Sequence, residues 1–238
     1  MGILSFLLGC RARNPYYKQK GTWYYDDRVI NVTAADKFTP LNNRFARTIH
    51  AGYYRGSVID SSDGPSFEAL NEHYAKDKAS VFYCDTYRKG QEYYTIKHNS
   101  IIKITNAEPG TFACLEQGYA KDSKNVYYEG YAFPVKDVAG FQVLDYGFAK
   151  DHYTGYFEQK SVAGSDGESF TVVDSHYAKD KKSVFYCSIN RDEPNAPRIV
   201  SLLIKGADAA TFVLATDSTG KTDASDKNAR YLNGIKLK

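Results

Sequence analysis

Hydrophobic and polar positions along this chain recur as a fixed motif. A leading Phe is followed by an apolar residue at the fourth position, an aromatic at the eighth, Ala-Lys-Asp, and a closing aromatic residue. Four segments carry it: Phe67 to Tyr83 (FEALNEHYAKDKASVFY), Phe112 to Tyr128 (FACLEQGYAKDSKNVYY), Phe141 to Phe157 (FQVLDYGFAKDHYTGYF) and Phe170 to Tyr186 (FTVVDSHYAKDKKSVFY). Phe38 to Tyr54 is a degenerate copy in which Arg47-Thr48 replaces Lys-Asp, and Phe212 opens a last copy stretched by a polar insertion. Within a copy, Tyr119-Ala120-Lys121 alternates at period two, Asp122-Ser123-Lys124-Asn125 has turn chemistry, and Val126-Tyr127-Tyr128 has the β-branched and aromatic content of a strand. Glu129-Gly130 then offers a tight reversal, and short helix-like linkers such as Thr33-Ala34-Ala35-Asp36 precede the Phe residues.

The spacing of the copies implies a larger unit. Phe38 and Phe141, Phe67 and Phe170, His73 and His176, and Cys84 and Cys187 all stand 103 residues apart (141 − 38 and so on). Trp23-Tyr24-Tyr25 maps onto Val126-Tyr127-Tyr128 at the same offset. A block of three repeats is therefore duplicated in tandem, roughly 14–111 and 117–214, with a remnant at the C-terminus and the back half of a repeat near the N-terminus. The expected fold is all-β: about six tandem short β-hairpin repeats, each two hairpins and a small helical turn, in two pseudo-equivalent three-repeat lobes forming one body. Propeller-like closure is the alternative. A unit this small cannot bury its own aromatic face, so neighbours must stack or share a sheet. The expected division is 1–13 as a short N-terminal segment, 14–116 as the first lobe and 117–238 as the second.

Composition adds two constraints. The chain has 21 Tyr and 13 Phe against one Trp and one Met, which suits half-buried pleated surfaces. Its net charge of +3 is small and its Lys and Asp are interleaved, so no basic face for nucleic acid emerges. No apolar run approaches the roughly 20 residues of a spanning helix.

Chemistry is sparse. Lys-Asp recurs at 76/77, 121/122, 150/151 and 179/180, and a pair needed in four equivalent places reads as turn formation rather than catalysis or calcium binding. His73 and His176 lack a second ligand at metal spacing and read as turn histidines stacked on Tyr. No phosphate loop, GxSxG or HExxH is present, so no catalytic residue, metal or cofactor is assigned. Cys84 and Cys187 occupy equivalent positions and are a candidate disulfide; Cys114, beside Leu115, reads as a small core hydrophobe. Two longer linkers, 84–104 and 187–204, follow equivalent repeats and lengthen a hairpin, and their tips differ completely. Variable tips on a constant frame suit recognition, so Tyr87, Arg88, Arg191 and Arg198 are the candidate partner-binding residues.

The first ten residues, MGILSFLLGC, end in Leu7-Leu8-Gly9-Cys10, which resembles a bacterial lipobox and makes Cys10 a candidate for lipidation. The stretch is short for a signal and lacks a preceding Lys or Arg; an N-terminal strand or plug is the other reading.

The Tyr-Ala-Lys-Asp runs at 74–83, 119–128 and 177–186 resemble the DKNYY family of bacterial repeat proteins. The likeness covers most of 38–190 and weakens at 141–157, where His152 and Gly155 interrupt it. It implies an envelope lipoprotein, in the periplasm or anchored to the outer membrane, with the cytoplasm as the alternative, and it brings no catalytic residues. Some proteins of this look act as immunity factors beside secreted antibacterial toxins. The expected function is thus non-enzymatic binding of a protein partner, a toxin among the candidates, with membrane contact only through a lipid at Cys10. A glycan- or peptidoglycan-binding repeat protein using exposed Tyr platforms is the alternative, and a hydrolase with its site between the lobes a more remote one.

Overall fold

The computed structural model describes residues 14–190, 198–215 and 222–237; Cys10 and Arg191 lie outside the described residues. Among the described residues the regular elements are β-strands and three short 3-10 turns, and the strands form seven small antiparallel sheets. Each strand pairs with its neighbours in sequence, so every sheet is a meander. The first has three strands (16–30); it is the orphan half-repeat, standing as a sheet of its own. The other six have four strands, at 39–58, 68–103, 113–133, 142–161, 171–203 and 213–236. A complete repeat is thus three hairpins sharing strands, where two separate hairpins were expected. Two compact units divide between Thr105 and Asn106, with three meanders in the first and four in the second.

The turns follow from local sequence. Lys20-Gly21, Arg55-Gly56, Glu129-Gly130 and Asn233-Gly234 put two successive residues at positive φ, the hairpin geometry whose twist matches that of the flanking strands. The helix-like linkers become 3-10 turns at Ala34–Asp36 and Gly64–Ser66. Single hydrogen-bonded turns take their place in the second unit, as where Phe141 N donates to Val138 O (3.4 Å).

Consecutive sheets in each unit bury one shared layer, and the motif spells out its three components. The aromatic face of one sheet supplies Phe45 and Tyr54, the leading Phe67 lies in the middle, and Ala75 and Phe82 come from the next sheet. The same order recurs as Tyr119 and Phe133, Phe141, then Ala149 and Tyr156. It recurs again as Phe148 and Phe157, Phe170, then Ala178 and Phe185. Ala is required at the centre of Tyr-Ala-Lys because the leading Phe and its neighbours occupy the space a larger side chain would need. Ala46, Ala75, Ala120, Ala149, Ala178 and Ala224 are all fully buried. Each leading Phe contributes about 2 kcal/mol by its burial. This answers where the repeated tyrosines go: Tyr54, Tyr74, Tyr119, Tyr127, Tyr156, Tyr177 and Tyr231 are core.

The Lys-Asp pairs stitch the sheets at their corners. One oxygen of Asp122 accepts from the amides of Lys124 (2.8 Å) and Asn125 (2.7 Å), closing its own turn. The other accepts from the amide of Glu108 (3.0 Å), fourteen residues earlier, and from the Tyr127 hydroxyl (2.6 Å). Asp77, Asp151, Asp180 and Asp226 repeat both halves of this clamp. Thr48, at the degenerate position, keeps the local half, accepting from His50 N and Ala51 N (both 3.1 Å). The preceding lysines reach forward: Lys150 Nζ donates to Glu168 O (3.2 Å) and Lys179 Nζ to Ala209 O (3.0 Å).

Candidate functional site

With the repeated aromatics committed to the core, exposed chemistry collects where the frame is interrupted. The largest interruption in the first unit is the long hairpin of Val81–Tyr87 paired with His98–Lys103. Its last pair, Tyr87 opposite His98, stacks with centroids 5.3 Å apart. Beyond that pair the chain makes a 3-10 turn at Gly90–Glu92, and His98 Nε2 meets Glu92 Oε2 at 3.0 Å. Arg88 Nη1 donates to Tyr93 O (2.6 Å), and its guanidinium stands 6.0 Å from the Tyr93 ring centroid. Tyr93 and Tyr94 meet edge to face at 5.3 Å. Tyr87, Tyr93, Tyr94 and Ile96 are all exposed, Tyr94 to 88 %. Of the candidate recognition residues, Tyr87 and Arg88 therefore stand at one tip, with Arg88 bracing it. Tyr93, Tyr94 and Ile96 complete the tip and were not singled out from sequence, although the Tyr pair was visible in the linker. Arg198 is exposed at the neck of the equivalent hairpin in the second unit, where its carbonyl accepts from Asn190 N (2.7 Å).

The second unit contains a groove of about 430 Å³ whose lining includes Tyr128, Tyr146, Gly147, Glu158, Ser175 and His176. Tyr146 and Gly147 form a tight turn with φ of 57° and 77°, and Phe148 N donates to Asp145 O (3.1 Å). Glu158 is largely buried, and its Oε1 accepts from the Tyr128 hydroxyl at 3.5 Å. Burial, aided by the Glu158 charge, pushes the Tyr128 phenol well above its ordinary range. His176 stacks on Tyr186 at 5.8 Å, as His73 does on Tyr83 in the first unit, which is the turn role expected of both.

A second, smaller depression is lined by Lys150, His152 and Glu168, and His152 is paired with Asp137. The hydrogen bond that His152 donates to the Asp137 carboxylate raises the His152 pKa. This is a turn ion pair rather than a catalytic dyad, because Asp63–Lys78 (3.0 Å), Asp166–Lys181 (3.2 Å) and Asp208–Lys227 (2.9 Å) occupy the same place in other repeats. Among the described residues, no group of three or more His, Cys, Asp or Glu could hold a metal ion.

Cys84 and Cys187 are free thiols. Each is enclosed in a hydrophobic layer, Cys84 beside Phe82 and Cys187 beside Phe185. Burial pushes both thiols up, Cys187 to about 11. Cys114 is only half-buried, more exposed than a core position.

The chain belongs to the DKNYY family: the sequence model of that family matches residues 10–86 and 86–235. The Tyr-Ala-Lys-Asp strands and their clamps lie within the matched region. No curated protein matches the chain, and no solved structure matches it.

Proposed function

We propose that this chain is a non-enzymatic protein-binding module of the bacterial envelope that docks its partner through the 87–98 hairpin tip. One observation carries the reading: Tyr87, Tyr93, Tyr94 and Ile96 are exposed together around Arg88, in a protein that buries its repeated tyrosines. Tyr and Arg are the residue types that dominate binding energy at protein interfaces, and clustered exposed apolar side chains mark interaction surfaces. The finer reading is that the partner is a secreted antibacterial toxin, occluded as by an immunity protein. It is supported by the resemblance of the Tyr-Ala-Lys-Asp runs to proteins that accompany such toxins. Lipidation at Cys10 would hold the module at the membrane. The glycan reading loses its platforms, because the repeated rings that would supply them lie in the core.

The test is capture from a lysate and secreted fraction of the source organism on the immobilised full chain, beside a Tyr93→Ala/Tyr94→Ala variant, read by mass spectrometry. One stoichiometric protein, retained in moderate salt and lost from the variant, supports the tip. Recovery of wall fragments, or of the same protein by both baits, overturns it. Inhibition of the captured protein's toxicity by the purified chain decides the toxin reading.

A further inference from the structure

The second unit carries an open sheet edge whose counterpart in the first unit is blunted. In the meander of residues 171–203 the last strand, Ile199–Leu203, pairs with Val184–Ile189 and is an edge of its sheet among the described residues. The bonds from Asn190 N to Arg198 O (2.7 Å) and from Ile204 N to Val184 O (2.9 Å) mark hydrogen-bonded pairs at its two ends. Such pairs alternate along an antiparallel ladder, so Ile199, Ser201 and Leu203 turn their N–H and C=O groups to the open side. Lys160 Nζ reaches one of these groups from that side, donating to Ile199 O at 3.3 Å. The five residues carry no charge, and Leu202 and Leu203 are 48 % and 49 % exposed.

The equivalent edge of the first unit is built differently. Register places Lys103 opposite Phe82, where Leu203 stands opposite Phe185, and Asn99 opposite Thr86, where Ile199 stands opposite Ile189. Asn99 Nδ2 is committed to Tyr54 O (3.2 Å) and Ser57 Oγ (2.9 Å), and Lys103 puts an exposed charge at the end of the strand. Charged and polar side chains of this kind deter a further strand. In the second unit both positions are apolar, which leaves a five-residue edge open to strand addition.

Charge selects the occupant. Arg198 and Lys205 bracket the strand, Lys160 lies against its first carbonyl, and all three side chains are exposed. A second copy of the strand laid antiparallel, Ser201 against Ser201, would bring Lys205 of one chain beside Arg198 of the other, and like charges across a strand pair are unfavourable. We propose that this edge takes an extended segment of a protein partner, apolar at its centre and with Asp or Glu at both ends. Main-chain bonds to Ile199, Ser201 and Leu203 hold the segment, its apolar side chains cover Leu202 and Leu203, and its carboxylates meet Arg198, Lys160 and Lys205. Docking here does not depend on the 87–98 tip.

The test titrates the 15N-labelled full chain with the peptide Ac-Glu-Val-Thr-Val-Thr-Val-Glu-NH2 to roughly 5 mM, the range for a short unconstrained strand. The same peptide with Lys at both ends is the control. The amides of Ile199, Ser201 and Leu203 should shift with the Glu-ended peptide, and the Lys-ended one should bind roughly tenfold more weakly. Arg198→Glu/Lys205→Glu should reverse that preference, and because both side chains are exposed the variant keeps the fold. Leu203→Pro removes an outward N–H and no bond to Val184–Ile189, and should weaken the Glu-ended peptide roughly tenfold. No shift at the three amides, equal affinity for the two peptides, or a preference that the charge reversal leaves unchanged would overturn the site. A dimer of the unliganded chain in sedimentation velocity that Leu203→Pro abolishes would make the edge a self-association surface and overturn the partner.

Discussion

The carboxylate of Asp151 accepts a hydrogen bond from the backbone amide of Asp137, fourteen residues earlier, at 3.0 Å. One buried side chain thereby fixes its own turn and ties it to the turn that opens the repeat. The other oxygen takes Tyr153 N and Thr154 N (both 2.8 Å), and the Tyr156 hydroxyl adds a bond of 2.7 Å. Asp151→Ala strands these buried donors and should cost about 3 kcal/mol in urea unfolding. Asp151→Thr, which recreates Thr48, should recover the local half and about a third of the loss. Equal losses for Ala and Thr would show that the local half contributes nothing.

The same clamps set a pH dependence. Burial opposes charge on Asp122, Asp151 and Asp226, but hydrogen bonds from Tyr hydroxyls and amides outweigh it, so all three pKa values fall below 3.8. A depressed carboxyl contributes its full stability above the unfolded value, and that contribution is lost as pH falls through the lower folded one. His152 acts in the opposite sense: its raised pKa gives a contribution complete below 6.5 and lost as pH rises through the folded value. The urea midpoint should be greatest near pH 5 to 6, roughly, with a steep acid side and a shallow alkaline one. A midpoint unchanged between about pH 5 and pH 2 would contradict the clamp as a source of stability.

Much of this was legible in sequence because each repeat repeats its physics. The leading Phe, the central Ala and the Lys-Asp turn identify strand, layer and corner in every copy. The 103-residue offset predicts which sheets resemble each other. The shortest fourth strands were not legible, since Ser57–Val58 and Lys160–Ser161 are two-residue strands without apolar pattern. The groove was hidden for a different reason: its lining falls where the copies differ, with Gly147 and Glu158 standing 103 residues after Arg44 and Arg55, while motif reading attends to what the copies share. Burial of the repeated tyrosines needed the stacking order, which sequence alone left open.

The layer order constrains small residues. A Cβ added at Gly155 would lie 2.5 Å from ring atoms of Phe170, and at Gly52 2.4 Å from Phe67. Ala149 is fully buried in the layer that holds Phe141. Gly155→Ala and Ala149→Val should each destabilise by about 1–3 kcal/mol through overpacking, in a chemical-denaturation series. A neutral result at both would mean that the layers have slack the packing does not show.

Thiol chemistry separates the cysteines. Cys84 and Cys187 are enclosed, with pKa values raised by burial, so neither is nucleophilic at neutral pH. Under native conditions a disulfide reagent followed by peptide mapping should label Cys114 before either, and both should react after unfolding. Reductant should leave the melting temperature unchanged. A reductant-sensitive melt would contradict the free thiols at Cys84 and Cys187.

The hairpin tip carries the sharpest separation of stability from binding. Tyr94 is 88 % exposed, and among the described residues its ring contact is with Tyr93 on the same tip. Exposed positions of this kind change stability by less than about 0.5 kcal/mol, whereas an aromatic anchor in an interface is worth about 2 kcal/mol or more. Tyr94→Ala should therefore melt like the parent yet release a captured partner at least tenfold faster, roughly, by surface plasmon resonance. Arg88→Ala should do both, loosening the tip by losing the 2.6 Å bond to Tyr93 O and weakening the partner in consequence. If Tyr94→Ala binds like the parent, the tip is only a solvated loop.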